Sequence, residues 1–195
     1  MVCASKLIIT EKQIYTLASQ CAIDDFALDK TNWHLVDTIV KKLTADKLSV
    51  ATAESCTGGM LASALTHFPG SSNYFMGSIV AYNPKVKKNL LNVSEDVINT
   101  HSIYSQVVAE KMAYGLRAII NSDITLSTTG VAGPSGAELP QYPVGSMAVA
   151  ISYADNLIIS TQFILNQNGG RALLRKKFCN AALLYFHARQ LNLLF

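Results

Sequence analysis

A chain of 195 residues that is 50% hydrophobic and only 15% charged can bury a substantial core, which excludes an intrinsically disordered protein. Sixteen basic residues against 13 acidic ones leave a net charge of +3 with no extended Lys/Arg run, so a nucleic-acid groove is not expected. The cysteines Cys3, Cys21, Cys56 and Cys179 are far apart and form no C-x-x-C pair, which argues against a zinc or redox spacing and for free thiols in a reducing compartment.

Residues 1–30 read as an N-terminal extension. Its apolar run Leu7–Ile9 is far too short for a signal-peptide core, and no stretch approaches the length of a membrane span, so a cytoplasmic protein is expected. Ile14, Leu17, Ala18 and Cys21 sit at helical spacing and predict a short helix. A single domain, 31–195, follows. It opens on a helix after Thr31 and Asn32, with Leu35, Val36, Ile39, Val40 and Leu43 on one face. Leu48 to Ala53 predicts a strand, and Gly58 and Gly59 open a helix that Pro69 and Gly70 stop. Phe75 to Tyr82 predicts a second strand, and Pro84 suits the first turn of a helix through Leu91. Ser105 caps a long helix with Val108, Met112 and Leu116 facing inward. Ile124 to Thr129 is a third strand, followed by a Gly/Pro loop from Gly130 to Pro143. Val144 to Tyr153 and Leu157 to Leu165 form an antiparallel hairpin, and a final helix covers Arg171 to Gln190. Strands alternating with helices predict an α/β fold, with a mixed, mostly parallel sheet of about five strands.

Three segments could carry chemistry. Glu54-Ser55-Cys56-Thr57-Gly58-Gly59 lies at a strand end and opens a helix, where amides and a partial positive charge suit an oxyanion or phosphate. A serine there can attack a carbonyl while neighbouring N–H groups hold the negative oxygen, and it can equally be a helix cap. Cys56 is a rival nucleophile, although a buried inert thiol is the commoner state of a lone cysteine. In Tyr82-Asn83-Pro84-Lys85-Val86-Lys87, either lysine could act as a base if burial or a nearby positive charge, such as Arg171 or Arg175, lowered its pKa; otherwise both are solvated. Thr128-Thr129-Gly130-Val131-Ala132-Gly133-Pro134-Ser135-Gly136 is a small-residue loop that lets backbone approach a ligand. His34, His67, His101 and His187 show no metal-ligand spacing, and no paired-carboxylate signature is present.

The ordered set of T-A-E-S-C-T-G-G at 52–59, P-G-S-S-N-Y-F-M-G-S-I-V-A-Y at 69–82, Lys87, Y-S-Q-V-V-A-E-K-M-A at 104–113, T-G-V-A-G-P-S-G at 129–136 and P-V-G at 143–145 resembles the CinA C-terminal domain, or nicotinamide-nucleotide amidase, family in its stand-alone form. The resemblance covers residues from about 32 to 190. It implies a three-layer α/β/α sandwich and hydrolysis of the carboxamide of nicotinamide mononucleotide to nicotinic acid mononucleotide and ammonia. It implies Ser55 as nucleophile and Lys87 as base, with Tyr82 and Thr129 hydrogen-bonding the catalytic groups. Cys56, Thr57, Gly58, Gly59, Gly130, Ala132, Gly133, Arg171 and Arg175 would contact substrate. It implies a small nucleotide as ligand, no metal and no cofactor, and it leaves homo-oligomerisation open. The chain departs from the family pattern at Tyr142, where a lysine is usual, at Gly170, where an aspartate is usual, and at Ser102, where a glycine is usual. The first two bear on the choice of nucleotide. The alternative from another class is a catalytically silent nucleotide- or partner-binding module of the same fold.

Overall fold

The computed structural model describes residues 8–135 and 139–193; Cys3 and Gly136 lie outside them. Among the described residues, six strands form one sheet in the order β1-β6-β5-β4-β2-β3. The strands are β1 (Ile8–Thr10), β2 (Val50–Glu54), β3 (Phe75–Val80), β4 (Ile124–Gly130), β5 (Ser146–Tyr153) and β6 (Ile158–Ile164). β2 pairs in parallel with β3 and β4, and β1 with β6. β5 is antiparallel to both of its neighbours, so it alone runs against the other strands. The sheet is therefore mixed and mostly parallel, as expected, with one strand more than the expected five. The extra strand is β1, a three-residue piece of the N-terminal extension. Its apolar pattern is too short to read, and it exists because β6 offers it an edge.

The helices are α1 (Glu11–Gln20), α2 (Trp33–Asp46), α3 (Met60–Leu65), α4 (Pro84–Leu91), α5 (Glu95–His101), α6 (Gln106–Ile119) and α7 (Gly170–Gln190). α5, capped by the Ser94 side chain, was not legible in the sequence: it is short and buries none of its residues fully. α1, α2 and α3 pack with α7 on one face of the sheet, and α4 and α5 pack against α6 on the other. The period of two along the strands sorts residues between these layers. Ile124, Leu126, Met147, Val149 and Ile151 meet the α7 layer, and the alternating Ala148 and Ala150 meet Ala109 and Ala113 of α6. The extension joins the same core: Ile9, Ile14 and Leu17 are buried in it, and Asn180 of α7 donates to the carbonyls of Leu28 and Lys30 at 2.8 and 2.7 Å.

Small residues let α6 lie close on the sheet. Thr125 and Ser127 of β4 donate their hydroxyls to the Ala113 and Ala109 carbonyls of α6 at 2.7 and 2.6 Å. At Gly115 the helix comes so near α4 that a Cβ would sit 1.9 Å from the Leu91 carbonyl oxygen. Gly115→Ala thus reverses the ordinary sign. Alanine normally stabilises a helix interior by ~0.5–1 kcal/mol over glycine, whereas here it must push α4 away, and a loss of about 1–3 kcal/mol is expected. Urea denaturation of the variant against the native chain measures it.

Candidate active site

β2 lies between β3 on one side and β4 on the other, so the chain leaves its carboxyl end toward a crevice between diverging connections. Ser55 follows β2 directly. Its amide donates to the Thr128 carbonyl of β4 at 3.0 Å, which ties the turn to the neighbouring strand. From the other side, α4 brings in Lys87. Asn83 caps α4 by accepting from the Lys85 amide, and Pro84 fills the first turn, so the helix begins immediately after the Tyr82 loop. Lys87 falls on the inward face and is 0% exposed, whereas Lys85, two residues earlier, is exposed. The Lys87 Nζ donates to Ser55 Oγ at 2.8 Å and to the Ala81 carbonyl at 2.5 Å.

Among the described residues Lys87 has no carboxylate partner. Burial without a counter-ion disfavours the ammonium and lowers the Lys87 pKa from 10.5 to about 8. Burial, not Arg171 or Arg175, is the cause, because neither guanidinium acts on this amine. Cys56 is the opposite case. Its buried thiol is pushed up to about 12 by loss of hydration, so it stays protonated at neutral pH.

A cavity of about 380 Å³ opens over Ser55. Cys56, Tyr82, Thr129, Gly130, Ala132 and Arg171, all expected at the site, line it. So do Ile103 and Tyr104, which were not expected. The hydroxyls of Tyr82 and Thr129 have partners other than Ser55 and Lys87. Tyr82 is 57% exposed and its hydroxyl accepts from Arg171, while Thr129 donates to the Ile103 carbonyl at 2.7 Å. Arg171 also donates to the Gly133 carbonyl at 2.6 Å, which joins α7 to the loop after β4. Tyr142, at the position of the usual lysine, is buried. Its hydroxyl donates to the His101 carbonyl at 3.2 Å and its ring meets Tyr104 edge-on. Gly170 lies at φ +76° in the turn that starts α7, where a residue with a side chain would be strained.

The expectation of free amides at the start of α3 needs correction. Glu54 is fully buried, and its carboxylate accepts from the amides of Gly59, Leu61 and Ala62 at 2.8, 3.1 and 2.8 Å. It also accepts the Thr57 hydroxyl at 2.7 Å. A side chain of this chain therefore occupies the helix terminus, where a ligand anion was expected. Thr57 and Gly59 serve this anchor, the Gly58 amide closes the turn on the Ser55 carbonyl at 3.1 Å, and Arg175 binds backbone carbonyls. Among the described residues, no group of three His, Cys, Asp or Glu side chains is gathered to hold a metal.

Residues 32–189 match the family of the CinA C-terminal domain. The chain belongs to that family. Relatives named CinA-like protein include one from Thermotoga maritima, 36% identical over 164 residues, and one from Chlorobium limicola, 40% identical over 151. The matches take in 80% and 76% of this chain but only 39% and 35% of those relatives, so the chain spans well under half of their length. Among solved structures, the competence damage-inducible protein A of Klebsiella pneumoniae superposes with a TM-score of 0.77 at 26% identity, covering 82% of this chain and 97% of that one. The competence/damage inducible protein CihA of Agrobacterium tumefaciens gives 0.75 at 30% identity, covering 80% and 93%. No helix among the described residues of this CinA C-terminal domain is long and apolar enough to cross a membrane.

Glu54, the anchor at the start of α3, was the residue around the site most accessible to sequence reasoning and yet unassigned. An acidic residue ending an apolar strand, just before a Ser-x-x-Gly-Gly turn, is the one signal that betrays it.

Two outcomes follow from these charges. The Lys87 pKa is lower in the folded chain than in the unfolded one, so the unfolded state binds more protons between about 8 and 10.5. Below that window the full cost of burying the ammonium is present, and above it both states are neutral and the cost is gone. The native chain should therefore gain up to ~3 kcal/mol relative to Lys87→Met as pH rises through the window. Unfolding free energies of both proteins at pH 7.5 and 10 give the difference. Glu54→Gln leaves three amides and two hydroxyls, those of Thr52 and Thr57, facing a neutral side chain that accepts through one oxygen only. A loss of about 1–3 kcal/mol is expected in thermal unfolding at neutral pH.

Proposed function

We propose that this chain is a nicotinamide-nucleotide amidase that hydrolyses the carboxamide of nicotinamide mononucleotide to nicotinic acid mononucleotide and ammonia through a serine–lysine pair. The observation that carries the reading is the 2.8 Å contact between the buried, unpaired Lys87 amine and Ser55 Oγ beside a cavity. A lysine whose amine is partly neutral near pH 8 can accept a serine proton, which an ordinary surface lysine does poorly. The resemblance of the site motifs supplies the substrate, and Arg171 on the cavity wall offers a cation to an anionic group.

In the proposed reaction, neutral Lys87 takes the Ser55 proton as Oγ bonds to the carboxamide carbon. The resulting ammonium returns that proton to the amide nitrogen, the C–N bond breaks and ammonia leaves. Lys87, neutral again, takes a proton from water as its oxygen attacks the acyl-serine. The ester bond breaks, and the proton returns to Ser55 Oγ. Cys56, protonated and buried, takes no part.

Ammonia release on incubation with nicotinamide mononucleotide tests the reading. Ser55→Ala and Lys87→Met should each lose most turnover while still binding the nucleotide, and the exposed Lys85→Met should change it little. The native rate should rise with pH through about 8 as Lys87 loses its proton. Nucleotide binding without ammonia release from the native chain would favour the silent binding module instead. Equal mild losses in both lysine variants would remove Lys87 as the base.

A further inference from the structure

A serine nucleophile is only as good as the donors that hold the oxyanion it creates, and most amides of this turn are already occupied. Those of Ser55, Gly58, Met60 and Ser63 donate to the carbonyls of Thr128, Ser55, Thr57 and Gly59. Those of Gly59, Leu61 and Ala62 donate to the Glu54 carboxylate. From Ser55 to Ser63, only the amides of Cys56 and Thr57 lack a carbonyl or carboxylate acceptor among the described residues.

Because a peptide unit is planar and trans, an amide points opposite to the carbonyl that precedes it. Holding the carbonyl therefore aims the amide. The Cys56 carbonyl accepts from Arg175 Nε at 3.2 Å, which directs the Thr57 amide away from α7. The Thr57 carbonyl accepts from the same guanidinium through Nη2 at 3.0 Å. The Ser55 carbonyl, held by the Gly58 amide, directs the Cys56 amide in the same way. Gly58 makes room for this arrangement: at φ +60° it lies in the left-handed region, and a Cβ there would stand 2.5 Å from Arg175 Nη2.

We propose that Arg175 is a positioning residue, which by gripping the Cys56 and Thr57 carbonyls locks the peptide planes after Ser55 and aims at the oxyanion the Thr57 amide directly and the Cys56 amide by way of the Gly58 amide that holds the Ser55 carbonyl. This rests on Ser55 as the nucleophile but not on the identity of the nucleotide. It separates Arg175 from Arg171, one turn earlier on α7, which lines the cavity.

The test is covalent labelling of Ser55 in the full chain by a small alkyl fluorophosphonate. The Ser55 Oγ bonds to phosphorus, the P–F bond breaks, fluoride leaves and the serine proton passes to Lys87. The phosphoryl oxygen takes the place of the oxyanion. Intact mass against time gives the rate, with Ser55→Ala as the blank. Arg175→Met should label ~10²-fold more slowly, the scale of a misplaced reacting group, while its rate keeps the native rise with pH through about 8 because Lys87 is untouched. Should Arg175→Met fold poorly, Arg175→Lys carries the comparison, since an ammonium cannot grip two carbonyls as a planar fork does. Labelling at the native rate in a folded variant overturns the proposal. So does a rise in KM for nicotinamide mononucleotide with kcat unchanged, which would mean that Arg175 binds phosphate. A native chain that labels at Ser55 yet releases no ammonia from the nucleotide would end the amidase reading and leave the Arg175 comparison valid.

Discussion

The Lys87 amine is held where water cannot solvate it and no carboxylate balances it, and much of the structure follows from that constraint. A buried ammonium in this position costs the fold stability, so the site is tolerable only because the amine can become neutral and because two oxygens, Ser55 Oγ and the Ala81 carbonyl, receive its hydrogens. Burial depends in turn on α4 lying flat against α6, which the missing side chain of Gly115 permits. α6 itself rests on a sheet face of alanines and inward-bonding hydroxyls. The small residues of β4, β5 and α6 thus bear on the protonation state of a lysine on another helix.

The second charge of the site is treated in the opposite way. Glu54 is as buried as Lys87, but three amides and the Thr52 and Thr57 hydroxyls surround its carboxylate. Multiple hydrogen bonds to an anion offset its desolvation. One buried group is left under-solvated while its neighbour in the fold is fully satisfied. The first arrangement suits reactivity and the second rigidity, and Ser55 lies between them, its amide held by the Thr128 carbonyl and its Oγ hydrogen-bonded by Lys87.

α7 ties these parts together from the opposite layer. Arg171 links it to Tyr82 and Gly133, and Arg175 to the backbone after Ser55. Further along, Lys177 and Asn180 secure the N-terminal segment through Glu11 and the carbonyls of Leu28 and Lys30. One helix therefore braces both the site and the N-terminal segment.

The sequence by itself determined the long elements and the chemistry-bearing segments, because their signals are local. The 3.6-residue spacing of Leu35 to Leu43, the capping Ser105 and the three-residue turn before Leu157 each depend on residues close in the chain. The motif order likewise pointed to Ser55 and Lys87 before any geometry was known. Tertiary structure alone decided the rest. β1 is a strand only because β6 presents an open edge to it. Lys87 and Lys85 have the same chemistry, and only the packing of α4 buries one and exposes the other. Arg175 reads as a substrate ligand in one dimension and grips backbone carbonyls in three, because its partners lie more than a hundred residues away. Burial, desolvation and long-range hydrogen bonds belong to pairs of distant segments, and no local pattern carries them.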